Sequence, residues 1–206
     1  MSENSTSNIG FANLNNDELR QLIEQAQAVL AEREAEAAGR RMVKFENIRV
    51  AHGTSGQTVL VFSPYHPDLV RDSRSLNGKW QSGNSSWKFD IRDEERVRGI
   101  VREVYGTDGS TEVEVVDVQM VIDDNNGGGK QLFALGREIA SRPGRDARVR
   151  LGDRVTIVSG EFPPSAGSSK YPSLIRNEPV TVLVRDVPAV LADVAAATDP
   201  DVYQIV

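Results

Sequence analysis

Basic and aromatic side chains of the kind that bind nucleic acid occur together between residues 65 and 90, a stretch that contains both tryptophans of the chain. Cationic side chains neutralise backbone phosphates, and an exposed aromatic ring offers a stacking face to any base. This combination predicts a first set of nucleic-acid contacts: Arg71, Arg74, Lys79, Trp80 and Lys88. The alternative is that the tryptophans pack a sheet against its helices. Because Trp87 alternates with Phe89 and Ile91, we favour a core position for Trp87, whereas core and surface stay equally open for Trp80.

A second cluster of cations lies in residues 136–154, where six arginines occur within nineteen residues. The planar donors of arginine suit phosphates and carboxylates, and Pro143-Gly144 predicts a turn inside the cluster. This density predicts further nucleic-acid contacts: Arg137, Arg142, Arg145, Arg148 and Arg150. In the alternative, Glu138, Asp146 and Asp153 pair with several of these arginines in a solvated network. A carboxylate-rich protein surface would bind the same arginines.

The segment 163–172 predicts a long, flexible loop that ends in Lys170 and Tyr171, a cation beside an aromatic ring. We add both residues to the predicted nucleic-acid contacts, since such a loop could clamp a ligand. A tolerated insertion between two strands is the more common explanation of a loop of this kind.

The sequence lacks the residue patterns of recognisable enzyme classes. It has no cysteine and only two histidines, His52 and His66, which excludes thiol catalysis and zinc ribbons and nearly excludes a histidine-rich metal centre. No HExxH, GxSxG or P-loop pattern occurs. The aspartates Asp117, Asp123 and Asp124 fall in or near an Asn/Gly-rich turn that is poorly suited to holding magnesium. We therefore predict a non-enzymatic protein without metal or cofactor, and a nuclease with an unrecognised acidic site is the weaker option.

Charge is separated along the chain although the protein as a whole carries a net charge of −6. Residues 40–106 hold twelve Lys/Arg against eight Asp/Glu, and residues 130–185 hold ten against five. The acidic excess lies in residues 1–39, 107–129 and 186–206. Two basic blocks in an acidic chain favour an electrostatic partner, with a solvated surface of mixed charge as the plainer alternative.

Length and hydropathy set the cellular context that we expect. A chain of 206 residues allows one or two modest domains. No apolar run approaches the roughly 18–20 residues that span a bilayer. The first 15 residues lack the basic start of a signal peptide. We expect a soluble, cytoplasmic protein without a membrane partner.

The N-terminal residues predict a disordered segment followed by one amphipathic helix. Residues 1–14 are mostly Ser/Asn-rich and offer little apolar surface to bury. Asn15 and Glu18 resemble a capping box, and apolar residues at three- and four-residue spacing, from Leu19 to Leu30, predict a helix over residues 15–39. Because an isolated helix of this length is marginal in water, we expect it to pack on the protein or to join copies into a homo-oligomer through residues 15–38.

Residues 43–106 predict a small α+β module with the order ββαββα. Its strands are predicted at Val43–Val50 and Gln57–Phe62, then on either side of a hairpin between Trp80 and Trp87. Its helices are predicted after Pro67 and after Asp93, the second ending before Gly106.

The C-terminal residues predict a mostly-β domain over 111–188. Five strands are expected: Thr111–Ile122, Gln131–Leu135, Ala147–Leu151, Arg154–Glu161 and Pro179–Asp186. Short strands with Gly-rich connections suggest a curled sheet or an OB-like barrel. The last residues, 189–206, predict a short helix followed by an acidic tail, and the helix begins at about Pro188. The predicted fold class is α+β.

Within the module, a characteristic order of residues appears: an aromatic, an acid with a leucine, a short helix, a basic-aromatic pair, a polar turn and Trp-x-Phe. The residues that carry it are Tyr65, Asp68-Leu69, Ser75-Leu76, Lys79-Trp80 and Trp87-Lys-Phe89, followed by a helix around 97–104. This order is similar to the HARP domain (HepA-related protein domain) of annealing helicases and covers a quarter to a third of the chain. The resemblance implies binding to branched or partly single-stranded DNA. Since no P-loop is present, it implies the DNA-binding accessory without the helicase motor.

Together these features predict a non-enzymatic DNA-binding accessory protein for single-stranded or branched DNA. The alternative is a phage- or plasmid-type protein-binding module, an inhibitor or an assembly subunit, that uses its arginine cluster on an acidic protein surface.

Overall fold

The computed structural model describes residues 15, 17, 19–27 and 39–206. In the N-terminal unit, residues 17 and 19–27 are helical. The side chain of Asn15 accepts a hydrogen bond from the backbone N–H of Asp17 at 3.0 Å, as an N-cap residue does. The rest of the predicted helix, Glu18 of the predicted capping box and the segment 1–14 lie outside the described residues.

Residues 39–206 form the second compact unit, and its fold is α+β. Its helices are α1 (Pro67–Ser75), α2 (Glu94–Tyr105) and α3 (Ala189–Thr198). Its strands are β1 (Arg41–Val43), β2 (Arg49–His52), β3 (Thr58–Phe62), β4 (Lys79–Gln81), β5 (Ser86–Asp90), β6 (Val113–Ile122), β7 (Gln131–Ala134), β8 (Arg137–Ser141), β9 (Arg150–Leu151), β10 (Val155–Ser159), β11 (Val180–Pro188) and β12 (Tyr203–Ile205).

The first part of this unit is a four-stranded antiparallel sheet of order β2-β3-β5-β4, covered on one face by α1 and α2. Alternate residues of β3 and β5 point to that face and are buried with apolar residues of both helices: Val59, Val61, Trp87, Phe89, Leu69, Val97 and Val101. The order β2, β3, α1, β4, β5, α2 matches the predicted ββαββα order.

Local sequence signals account for the start of α1 and for the end of α2. Pro67 opens α1, and the ring of His66 accepts a hydrogen bond from the N–H of Asp68 at 3.3 Å. Burial lowers the pKa of His66, which keeps this ring nitrogen free to accept at neutral pH. Gly106 closes α2 in the left-handed conformation, with φ of 72°.

The second part contains a five-stranded antiparallel sheet, in which the chain of neighbours runs β1-β6-β11-β10 and β12 also pairs with β6. A separate three-stranded sheet has the order β7-β8-β9. Residues of both sheets and of α3 share one hydrophobic core that includes Val118, Ile139 and Val182. The pairing of these strands does not close them into one barrel, so an OB-like barrel is not confirmed.

Three elements differ from the sequence-based expectation. The strand predicted at Val43–Val50 is wrong, because residues 44–48 turn and separate β1 from β2. β1 then pairs with β6, in a different sheet from β2. β8 lies inside the arginine cluster, where no strand was predicted, and β12 lies in the predicted tail and pairs with β6. β1, β8 and β12 are short strands, and the strand that pairs with β1 and with β12 lies far away in the sequence.

A buried carboxylate fixes the end of α2 to the segment that follows it. Asp108 is 3% exposed and lies 3.1 Å from a guanidinium nitrogen of Arg98 and 2.7 Å from one of Arg102. Burial alone would raise the pKa of Asp108, but hydrogen bonds from Ser110 and these two arginines outweigh it and lower the pKa to about 2. Asp108 therefore stays ionised wherever the protein is folded under ordinary conditions.

No helix among the described residues is long and apolar enough to cross a membrane.

Candidate nucleic-acid interface

The hairpin of β4 and β5 pairs the two tryptophans with each other and two of the predicted lysines with each other. In the antiparallel register Trp80 lies opposite Trp87, and Lys79 lies opposite Lys88. The two indole rings make an edge-to-face contact with their centroids 5.6 Å apart. Gly78 makes the tight entry from α1 possible, because a Cβ there would lie 2.5 Å from the ring of Phe89.

The two tryptophans share a face of the sheet but differ in exposure. Trp87 is 8% exposed and lies in the core under the helices, which confirms its predicted position. Trp80 is 53% exposed, because β4 is the edge strand and the helices do not cover its outer side. One part of the Trp80 ring therefore packs on Trp87 while the rest is available to solvent.

The two lysines of the hairpin lie on the other face of the sheet, since side chains alternate along each strand. Like charges directly opposite each other on neighbouring strands destabilise a sheet. Neither Lys79 nor Lys88 has an acidic partner within ion-pair distance among the described residues. The two like charges therefore lack a carboxylate counterpart among the described residues, and an anion bound at this place would supply one. We call Lys79, Trp80 and Lys88 the hairpin site.

The two predicted arginines of α1 differ in their availability. Arg71 lies 2.8 Å from a carboxylate oxygen of Asp72 and also pairs with Asp68. The hydrogen bond to Asp72 and the charges of both carboxylates raise the pKa of Arg71. Arg71 is thus already neutralised within its own helix. Arg74 is exposed in the last turn of α1 and makes no ion pair among the described residues.

Arg137 is used inside the protein rather than on its surface. Its guanidinium donates to the backbone carbonyls of Arg185 and Asp186 at 3.1 and 2.7 Å. Burial lowers its pKa, since the charged group has lost solvent. Arg137 therefore links β8 to β11, and two of its five N–H donors are used in this link.

The expectation that Arg142 contacts DNA is wrong, because this residue is fully buried. Its guanidinium donates to five backbone carbonyls, at distances between 2.6 and 3.3 Å: Arg145, Ala147, Pro163, Pro164 and Leu174. These carbonyls lie in two loops, residues 143–149 and 161–178. Its Nε has no partner. Burial lowers the pKa of Arg142, and the residue acts as a pin that holds both loops.

The remaining predicted contacts lie on the surface of these two pinned loops and in β9. Arg145 pairs with Asp146 at 2.9 Å, as the alternative of a solvated network predicts. Arg148 and Arg150 are exposed and make no ion pair among the described residues. The two loops also meet directly, because the N–H of Ala166 donates to the carbonyl of Arg145 at 3.2 Å.

Lys170 and Tyr171 form the exposed tip of the second loop. Tyr171 is 69% exposed, and the ammonium group of Lys170 lies 5.2 Å from the centroid of its ring. The tip is closed by a hydrogen bond from the N–H of Ser168 to the carbonyl of Tyr171 at 2.8 Å. We call Arg145, Arg148, Lys170 and Tyr171 the loop site. Backbone hydrogen bonds therefore hold the tip of this loop in a defined shape.

Sequence reasoning missed two residues that share the lysine face of the first sheet. The guanidinium carbon of Arg49 lies 4.5 Å above the centroid of the Phe62 ring, and the two residues face each other across β2 and β3. Alternation along the predicted strand Gln57–Phe62 contained the signal, since it puts Phe62 on the face opposite to Val61.

Comparison with protein-family models, with curated proteins and with solved structures gave no match. The resemblance to the HARP domain therefore stays a prediction from the residues quoted above. Among the described residues, no group of three or more histidines and carboxylates could hold a metal ion.

Proposed function

We propose that this chain is a DNA-binding accessory protein that performs no reaction itself and binds single-stranded or branched DNA at the hairpin site. The observation that carries the proposal is a half-exposed tryptophan on the edge strand, together with two opposed lysines on the other face of the same hairpin that lack acidic partners among the described residues. A phosphate backbone supplies the missing negative charge.

The exposed indole favours an unpaired strand over a duplex. A base can stack on Trp80 only when it has left its own stack, which costs less in single-stranded DNA than in a duplex, where unstacking and unpairing cost a few kcal/mol. Forked DNA carries such bases at its junction. The duplex offers the lysines its phosphates but offers the indole no base.

The loop site supports the proposal as a second cationic surface. Arg148 of this site has no acidic partner among the described residues, and neither has its neighbour Arg150, so both are free to meet phosphates. Phosphate contacts carry no sequence information, which suits a protein that recognises the form of DNA rather than its sequence. The buried Arg142 holds the two loops in place and does not itself touch the ligand.

Titrations of wild type, Lys79→Gln and Lys88→Gln with a 12-nucleotide oligo(dT), a duplex and a fork test the proposal. We expect each lysine variant to bind oligo(dT) more weakly and to reduce the slope of log K against log salt by about 0.7. Because each variant also removes the like-charge repulsion, we expect its melting temperature to be equal or slightly raised. A loss of binding together with unchanged or better folding cannot come from unfolding.

Arg96→Gln is the matched control. It also removes one exposed cation, but Arg96 is already paired with Asp93 at 3.4 Å on α2. The control should bind oligo(dT) with an affinity within about twofold of wild type. If the lysine variants bind like this control, the hairpin site is not the DNA contact. If wild type binds none of the three DNAs at low salt, the function itself is wrong, and an acidic protein partner becomes the better explanation of the cations.

A further inference from the structure

The four-stranded sheet has an outer face, opposite to α1 and α2, and no helix or other sheet within residues 39–206 packs extensively against it. The register sets Ala51, Leu60, Lys88 and Lys79 in one row across all four strands. Arg49 and Phe62 form the neighbouring row on the same face. The face therefore continues from the two lysines of the hairpin site to the aromatic ring of Phe62.

The apolar residues of this face do not belong to the protein core. Leu60 and Phe62 are partly buried, but neither is a member of the two hydrophobic clusters of residues 39–206, nor packs against them. Val59 and Val61, their neighbours in β3, are 0% and 1% exposed on the other face. The strand thus presents apolar side chains to both sides while the fold needs only one.

Charge on this face favours an anionic occupant. Arg49, Lys79 and Lys88 have no ion pair with any carboxylate of the described residues. The acid at the margin is Asp90, which lies opposite Thr58 and is bound by Arg92 at 2.9 Å. Hydrogen bonds from Arg92 lower the pKa of Asp90 to about 2, so this carboxylate stays ionised, and the guanidinium of Arg92 offsets part of its charge. Three cations beside an apolar surface suit a chain of phosphates whose bases face the protein.

We propose that this outer face is a stacking platform for single-stranded DNA that continues from the two lysines of the hairpin site, with Phe62 and the guanidinium of Arg49 as its base-stacking elements. The proposal rests on the function proposed above. Neighbouring strands lie about 4.8 Å apart, so the face is about 14 Å wide between β2 and β4. A four-stranded sheet of this width stacks two or three bases on its aromatic residues in known recognition modes. Planar guanidinium groups also stack on bases.

Ultraviolet crosslinking of wild-type protein to 12-nucleotide oligo(dT), followed by trypsin and mass spectrometry, tests the platform without a substitution. Tryptic cleavage separates residues 50–71, which contain Phe62, from residues 80–88, which contain Trp80 and Trp87. We expect crosslinks in both peptides, with fragmentation placing the first at Phe62. Crosslinks confined to residues 80–88 would overturn the platform and leave the hairpin site intact.

Two variants give the energetic counterpart. Phe62→Leu keeps an apolar side chain but removes the aromatic face, and Arg49→Gln removes the planar cation. We expect each to weaken oligo(dT) binding by about 5- to 100-fold, the range of one lost base stack, with much less effect on a duplex. Phe133→Leu, in a strand of another sheet, is the matched control and should bind like wild type. Normal binding by both variants, beside weakened binding by Lys79→Gln, refutes the platform alone. Absence of binding by wild type refutes the proposed function as well.

Discussion

Replacing Arg142 by methionine is the sharpest test of the pinned loops. The substitution keeps a long apolar stem but removes a guanidinium that is completely buried and binds five carbonyls. Two of these hydrogen bonds are short, at 2.7 Å to Ala147 and 2.6 Å to Pro163, and the other three are between 3.2 and 3.3 Å. Each loop therefore loses one strong bond and at least one weak one.

The expected cost is large relative to the stability of a small protein. A hydrogen bond to a charged group contributes about 1.5–3 kcal/mol, so the two short bonds alone contribute about 3–6 kcal/mol. Removing a buried charge that has no carboxylate partner returns part of this, because its desolvation is no longer needed. We expect Arg142→Met to lower the free energy of unfolding by about 3–5 kcal/mol, against a typical total of 5–15 kcal/mol.

Chemical denaturation of wild type and Arg142→Met measures this difference directly. Arg142→Lys should lose nearly as much stability, since one ammonium group cannot span carbonyls of two loops as the guanidinium does. Limited trypsin digestion gives a local readout, because the freed loops contain cleavage sites at Arg145, Arg148 and Lys170. A midpoint of unfolding within about 1 kcal/mol of wild type, with the loops still resistant, would refute the role of Arg142 as a pin.

Three further predictions follow from other parts of the structure. Trp80→Ala should cost about 2–3 kcal/mol of stability, since about half of the ring is buried, and should also weaken oligo(dT) binding about 5- to 100-fold. A change in stability alone or in binding alone would contradict the view that Trp80 both packs on Trp87 and stacks on a base. Asp108→Asn should cost about 2 kcal/mol above pH 4. The pKa of Asp108 is lowered, so its stabilisation is complete above about pH 4 and is lost as the pH falls towards 2; the variant should lack this pH dependence in thermal melts. Deleting residues 1–38 should lower the number of chains per particle, measured by light scattering, while residues 39–206 stay folded, because Leu22 and Ile23 are 39% and 56% exposed. An unchanged number of chains per particle would exclude oligomerisation through this helix.

Local signals in the sequence were sufficient to predict the helices and hairpin of the first sheet. His66-Pro67 starts α1, and Gly106 ends α2, because proline and glycine fix the backbone wherever they occur. Trp87 was placed in the core from the alternation of three residues. These features depend on neighbours within a few positions, which the sequence displays directly.

The features that could not be predicted depend on distant partners. β1 and β12 are three-residue strands whose pairing with β6 joins positions 70 or more residues apart. Arg142 looks like its exposed neighbours in sequence, and only the fold reveals that five carbonyls surround it. Likewise, the spacing of Lys79 and Lys88 does not disclose that they face each other, because the register of the hairpin determines this.

The electrostatic character of the arginine cluster also required the fold. Six arginines in nineteen residues suggest one basic loop, but Arg137 and Arg142 bind backbone carbonyls and Arg145 binds Asp146. The cations left for a partner are thus fewer than the sequence indicates. Charge counting gives the number of groups, whereas availability depends on the contacts that each one makes.

Titration of the intrinsic tryptophan fluorescence with oligo(dT) tests the central claim most directly. Both tryptophans of the chain lie in the β4–β5 hairpin, so the signal reports on the proposed contact itself. At about 50 mM salt we predict saturable quenching by oligo(dT), much weaker quenching by a duplex of equal length, and a marked loss of affinity at about 200 mM salt. An unchanged signal together with no oligo(dT) binding at 50 mM salt would contradict the claim that the hairpin site binds DNA.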